Sequence, residues 1–280
     1  GTAEQGDASG ITDKSRRAES YLTNDLTLDW NRCEGQRYFL NRAKEFGCES
    51  IVLFSNTPPV QYTQNGKGFS NQGGVSNLKN DCYDDFAAYM GDVAQYYIDK
   101  GYPVTHISPV NEPQYNWDGG QEGSGWTNDE VARLARELDD ALTERNLSTD
   151  ILLGESGDWE YLYKTKDDAN RSNVMSAFFT PGSSAYVGNL NHVKKLICGH
   201  SYWTDGTWDG MRSVRKQVAQ AATQYGVDVW QSEWSMLGDN YSNTEFVGYD
   251  NATEMDIAFY MSRVIHNDLT VAGVSSWSYW

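Results

Sequence analysis

Six times along these 280 residues a short apolar run alternates with a stretch whose apolar positions recur at helical spacing. Runs that are apolar throughout fit strands buried on both faces, and strict alternation of such strands with helices implies a parallel sheet covered by helices. The first pair is a helix over 36–46, built on Phe39, Leu40, Ala43 and Phe46 and stopped by Gly47, followed by the strand Ser50-Ile51-Val52-Leu53-Phe54. Phe86, Tyr89, Met90, Val93 and Tyr97 give a helix over 81–100, closed by Gly101, and residues 104–110 read as the next buried strand. Thr127 and Glu130 form a capping box that opens a helix with the stripe Val131, Leu134, Ala135, Leu138, Ala141 and Leu142. The series continues with a strand at 151–154, helical material between 166 and 193, a strand at 196–203 and a helix at 211–225. It closes with a strand at 227–232, a helix over Ile257, Met261 and Val264, and a last strand near 271–280. Residues 1–29 lack periodicity and read as a loop with one short helix.

Such a series can close into a barrel or open into a doubly wound sheet. Carboxylates and aromatics follow strands all along the chain instead of gathering at one switch point, which favours the barrel. No repeat, linker or low-complexity stretch divides it, so residues 1–280 are expected to form one unit.

Within that frame two carboxylates stand out. Asn111-Glu112-Pro113 ends the strand at 104–110, because Pro113 has no amide to donate to a ladder, and Glu112 should lie at the carboxyl end of its strand. Glu233 follows the strand at 227–232 in the same way and is flanked by Trp230 and Trp234. Barrels of this kind keep their chemistry at the carboxyl ends of the strands. Two glutamates there, beside sugar-sized aromatics, are the equipment of glycoside hydrolysis. Each has a plainer reading, as a helix-capping carboxylate for Glu112 and a salt-bridged rim residue for Glu233; their pairing outweighs both. Glu155 and Asp205 also end strands and read as loop carboxylates that bond backbone or sugar hydroxyls.

Composition narrows the ligand. A formal charge of -17 repels nucleic acid, anionic membranes and polyanionic substrates, and no apolar run reaches membrane-spanning length, so a neutral ligand is expected. Ten Trp and 18 Tyr supply flat amphipathic faces suited to sugar rings. No Walker loop, dinucleotide fingerprint or H-E-x-x-H occurs, and His192 and His200 are too far apart for one helical face, so neither metal nor cofactor is expected. Gly154-Glu155-Ser156-Gly157 runs into Asp158 and misses the G-x-S-x-G elbow. The four cysteines show no C-x-x-C spacing; Cys48 and Cys198 read as buried thiols, with one disulfide left open.

At these residues the chain resembles the retaining glycosidases of the large (β/α)8 TIM-barrel clan, and within it glycoside hydrolase family 30. Phe54-Ser55-Asn56-Thr57-Pro58-Pro59 is similar to the family's strand-three motif, Ser108-Pro109-Val110-Asn111-Glu112-Pro113-Gln114 to strand four, and Gly199-His200-Ser201-Tyr202-Trp203 to strand six. Ser232-Glu233-Trp234-Ser235 is similar to the nucleophile motif on strand seven, with Trp277 as the aromatic of strand eight and Trp280 as its alternative. The stretch from Gln114 through Tyr115, Asn116 and Trp117 to Gln121-Glu122-Gly123 resembles the endo-β-1,6-galactanase branch. One departure is Val60-Gln61-Tyr62, where the family carries a Trp soon after its two prolines.

The resemblance implies that Glu233 is the nucleophile and Glu112 the acid/base. It implies that Asn111 bonds a sugar 2-hydroxyl, that His200 and Tyr202 position Glu233, and that Trp117, Trp203 and Trp277 form stacking walls, with Ser55, Asn56, Tyr115 and Trp234 also at the substrate. It implies a neutral oligo- or polysaccharide substrate, β-1,6-galactan before xylan, a secreted or periplasmic location, and a monomer when complete. A non-catalytic glycan-binding protein is the competing class, and retention of both glutamates argues against it. It also implies that strands three to eight alone are present, as part of a longer reading frame, with exposed sheet edges and poor solubility.

Overall fold

The computed structural model describes residues 9–70, 73–237 and 251–280. Its strands are β1 (Ile51–Phe54), β2 (Val104–Ser108), β3 (Asp150–Ile151), β4 (Leu153–Ser156), β5 (Leu196–His200), β6 (Asp228–Glu233) and β7 (Ser276–Trp277). Every pairing between them is parallel, in the orders β1-β2-β3 and β4-β5-β6-β7. β3 and β4 are halves of one extended stretch interrupted at Leu152, whose amide donates to Ile107 O at 2.9 Å. The first half pairs with β2 and the second with β5, so the two ladders form one continuous arc. Among the described residues β1 and β7 each have a single neighbour, which makes the arc open, as expected for strands three to eight of a (β/α)8 barrel.

The helices are α1 (Glu34–Glu45), α2 (Tyr83–Asp99), α3 (Asn128–Glu144), α4 (Glu160–Tyr163), α5 (Val174–Phe179), α6 (Trp208–Tyr225) and α7 (Glu254–Asn267). They pack on one another in chain order, α2 on α3, α3 on α5, α4 and α5 on α6, and α6 on α7, as a helical layer around an arc requires. α3 carries the expected capping box, with Thr127 Oγ1 accepting from the Glu130 amide, and buries Leu134, Leu138 and Leu142 completely. α7 has a second capping box, Thr253 with Asp256. Where β4 and β5 approach, Gly154 has φ +120° and a Cβ there would lie 2.1 Å from Cys198 O, so only glycine fits.

Several boundaries differ from the sequence expectation. β2 ends at Ser108 and not at Glu112, because Pro109 already lacks the amide the ladder needs. The last strand shrinks to Ser276–Trp277 because a π-helical turn, Asp268–Ala272, occupies the segment before it. The short helix near the start is the 3-10 turn Lys14–Arg16. Cys48 is exposed, Cys33 and Cys198 are buried, and all four cysteines are free thiols. α1 buries no residue: Tyr38, Phe39 and Phe46 are exposed, and a cavity of about 860 Å³ separates the helix from β1, lined by Leu40, Ile51, Leu53, Met90 and Val93.

Candidate active site

The site lies past the carboxyl ends of β2, β4, β5 and β6. Beyond Ser108 the chain turns through Pro109 to Glu112, which sits at φ 39°. Glu155 occupies the corresponding place on β4 at φ 41°, and the Glu112 amide donates to Glu155 O at 2.9 Å. Left-handed backbone at a non-glycine residue costs about 1–3 kcal/mol and persists only where neighbours over-determine it. Here the inter-strand bond does so, together with Trp117 Nε1, which donates to Glu112 O at 3.1 Å. Glu233 needs no such turn, since it is the last residue of β6, where it pairs with His200 of β5 after a one-residue register shift.

His200 is completely buried between two carboxylates, with Nδ1 2.9 Å from Glu112 Oε1 and Nε2 3.0 Å from Glu155 Oε2. Burial alone would lower its pKa, but the hydrogen bonds to Glu112 and Glu155 and the charges of both carboxylates push it up to about 10. The ring is therefore an imidazolium at neutral pH and donates both N–H groups. Burial likewise pushes Glu155 up, yet His200, Ser232 Oγ at 2.6 Å and Ser108 Oγ at 2.8 Å pull its carboxyl below the usual range. Glu233 is held above its ordinary value, first by burial and then by the nearby Glu112 charge. The His200 charge and the Tyr202 hydroxyl, which donates to Glu233 Oε1 at 3.0 Å, oppose the rise.

The expected pairing of His200 with Glu233 is thus corrected. Its two ring nitrogens serve Glu112 and Glu155 and it reaches Glu233 through charge alone, while Tyr202 is the hydrogen-bond partner of Glu233 among the described residues. One oxygen of Glu112, one of Glu233 and one His200 nitrogen lie within 4.8 Å of one another, a spacing that a cation could bridge. Both nitrogens are already hydrogen-bonded to carboxylates, and an imidazolium offers no lone pair to a metal.

A cleft of about 380 Å³ opens over the two carboxylates, lined by Asn56, Asn111, Glu112, Glu122, Glu233 and Trp280, among others. Tyr115, Trp117 and Trp203 form an aromatic group, with Tyr115 centred 5.7 Å from Trp117 and 5.6 Å from Trp203, and Trp203 half exposed at φ 53°. Ser55 is buried and bonds backbone, its amide donating to Ser108 O at 3.0 Å and its Oγ to Thr57 O. Trp234 is not available to substrate: it is fully buried and its indole donates to Asp205 Oδ2 at 2.8 Å. Trp277 turns its indole inward to Asp268 Oδ2 at 3.0 Å and packs on Trp234, so the aromatic of this segment that lines the cleft is Trp280.

Three residues whose supporting role the sequence pattern does not record hold this arrangement. Glu155 fixes His200. Arg215 and Asp268, both completely buried, pair at 2.8 Å, and Arg215 Nη1 bonds Thr204 O at 2.6 Å while Asp268 Oδ2 accepts from Ser201 Oγ at 2.7 Å. The loop that carries Tyr202 and Trp203 is thereby pinned on both sides.

Comparison with known proteins places these observations. The family model described as O-Glycosyl hydrolase family 30 matches residues 1–280. An endo-β-1,6-galactanase from Hypocrea rufa is 25% identical over 211 residues, covering 74% of this chain and 39% of its own. A conserved exported protein from Bacteroides fragilis superimposes with a TM-score of 0.90 at 29% identity, over 96% of this chain and 56% of that one. A family 30 subfamily 8 xylanase from Clostridium acetobutylicum shares the fold, with a TM-score of 0.59 at 19% identity over 100% of this chain and 63% of its own. The chain therefore spans between about two-fifths and two-thirds of the length of these relatives.

Proposed function

The chain belongs to O-glycosyl hydrolase family 30, and from that premise we propose that it is the catalytic portion of a retaining, endo-acting β-glycosidase whose substrate is a neutral β-1,6-galactan. The observation that carries the chemistry is the close approach of Glu112 and Glu233, whose oxygens come within 4.8 Å across an open cleft. Oxygens this close are compatible with the roughly 5–5.5 Å between carboxyls of retaining sites.

In this reading Glu233 attacks the anomeric carbon while Glu112 gives a proton to the departing oxygen, and Glu112 then takes a proton from the water that releases the sugar. The His200 imidazolium engages Oε1 of Glu112, so Oε2 is the oxygen left to carry the proton. Tyr202 steadies Glu233 in its ionised form by donating to Oε1. Asn111, buried with Oδ1 unpartnered and lining the cleft, accepts from a sugar hydroxyl, and Tyr115, Trp117 and Trp203 supply stacking faces.

The substrate rests on the galactanase relative and on the likeness of the Gln114 to Gly123 stretch, and secretion on the exported relative. Release of reducing ends from β-1,6-galactan, with xylan and β-1,6-glucan alongside, tests the substrate; efficient cleavage of xylan with galactan untouched would sink it. The roles are tested by azide on an activated aryl glycoside. Glu112→Ala should regain turnover and yield the β-azide, because the covalent intermediate still forms and azide needs no general base. Glu233→Ala should yield the α-azide by direct attack. The opposite pairing of variant and anomer would reverse the two roles.

A further inference from the structure

Glu122 has one carboxyl oxygen that the protein accounts for and one that it does not. The side chain is 4% exposed, and Oε1 accepts from the Ala18 amide at 2.9 Å. Oε2 is buried, with no hydrogen-bond partner among the described residues. Buried polar atoms are almost always paired, so an orphan on a side chain that lines a cleft marks a place where a ligand can complete the bonding. The cleft it lines is the one that holds Glu112 and Glu233. Asn111, which lines the same space, carries a second buried oxygen, Oδ1, with no partner among the described residues.

The loop that carries Glu122 is braced by its neighbours. The Gly123 amide donates to Gly68 O at 3.0 Å, and Arg16 donates to Gln121 Oε1 at 2.6 Å. A Cβ on Gly123 would fall 2.0 Å from the Trp117 ring, so glycine there lets the indole lie directly on the loop. A carboxyl held this firmly loses little freedom when it binds. Burial pushes it up to about 7, against the Ala18 bond, so near neutrality the protonated form is well populated and can donate as well as accept. Such a group suits a hydroxyl, which also does both.

We infer that Glu122 is a substrate-binding residue of this cleft, holding a sugar hydroxyl through Oε2 beside the reacting carboxylates. The inference rests on the glycosidase reading and adds a contact that determines affinity and not bond cleavage.

Calorimetric binding of β-1,6-galactotetraose and β-1,4-xylotetraose to the full chain, in a Glu233→Gln background that cannot turn over, tests it. Glu122→Met removes both oxygens and should weaken the bound tetrasaccharide about tenfold, whereas Glu122→Gln keeps a donor and an acceptor and should stay close to the parent. Thermal unfolding of each variant controls for the Ala18 contact, and Glu122→Ala replaces the Met variant if that one does not fold. Unchanged affinity in the apolar variant, or equal loss in the Met and Gln variants, would overturn the contact. A parent that binds xylotetraose and not galactotetraose, with the Met variant weakened, removes the galactan assignment and keeps the contact. A parent that binds neither removes both.

Discussion

At the scale of single residues, Glu112, the proposed acid/base, is set through His200 by a second carboxylate behind it. Glu155 lies behind His200, and its charge and hydrogen bond help keep the imidazole protonated. The charged or titratable groups facing His200 are Glu112 after β2, Glu155 on β4, Glu233 on β6 and Tyr202 beyond β5. Glu155→Gln removes one of the two carboxylates that raise His200, so its pKa should fall from about 10 toward the ordinary value of about 6.5. His200, raised in the fold, contributes stability that is fully present below about pH 6.5 and lost as pH rises through about 10. Glu155, lowered in the fold, contributes stability present above its unfolded pKa of about 4.5 and lost as pH falls through the folded value. The variant should therefore lose the alkaline arm of its melting curve earlier than the parent. Melting temperature followed across pH 5–10 checks this, and identical alkaline limbs in parent and variant would show that Glu155 is only a packing group.

At the scale of elements, local signals read well and non-local ones did not. The capping box and apolar stripe of α3 are written in its own residues, and the helix starts at Asn128 where Thr127 and Glu130 put it. Glu233 ends its strand as its sequence suggested, whereas Glu112 lies four residues past β2, because Pro109 and not Pro113 stops the ladder. Glu155 was read as a loop carboxylate because its role depends on Ser108, His200 and Ser232 from three other strands, and no pattern within 153–156 records them. Trp234 was misread for a different reason. Successive side chains of an extended segment point to opposite sides, so a Glu233 that faces the cleft sends its neighbour inward. The same long-range dependence governs the loop after β5. Asp268, from the π-helical turn, neutralises the buried Arg215, and between them they bond Ser201 and Thr204 on either side of Tyr202 and Trp203. Asp268→Ala leaves a buried cation unpaired and should cost about 3–5 kcal/mol in urea unfolding, with kcat falling as Tyr202 loses its place. Thr127→Ala, which removes only a cap, should cost about 1 kcal/mol and leave kcat alone. Comparable effects of the two substitutions would show that the ion pair does not position the loop.

At the scale of the whole molecule, two surface properties oppose each other. Phe39 of α1 and its C-cap Phe46 are 73% and 79% exposed, and Val52 and Phe54 on β1 are 37% and 41% exposed beside an apolar cavity. Among the described residues β1 bonds only β2, so it offers free backbone donors and acceptors along its other side. An apolar face next to an unpaired strand edge favours association between copies. The formal charge of -17 resists it, because like-charged molecules repel before their apolar faces meet. Repulsion between exposed charges reaches about 30 Å at 0.01 M salt and about 8 Å at 0.15 M, whereas hydrophobic contact is not weakened by screening. These 280 residues should therefore sediment as a monomer in dilute low-salt buffer and associate as salt or protein concentration rises. Val52→Lys together with Phe39→Lys places charge on the apolar face and should restore the monomer at physiological salt, leaving oligosaccharide binding in the cleft unchanged. Sedimentation velocity across a salt series decides it: a wild-type monomer at every salt and protein concentration would mean that this face is too small or too well solvated to drive association.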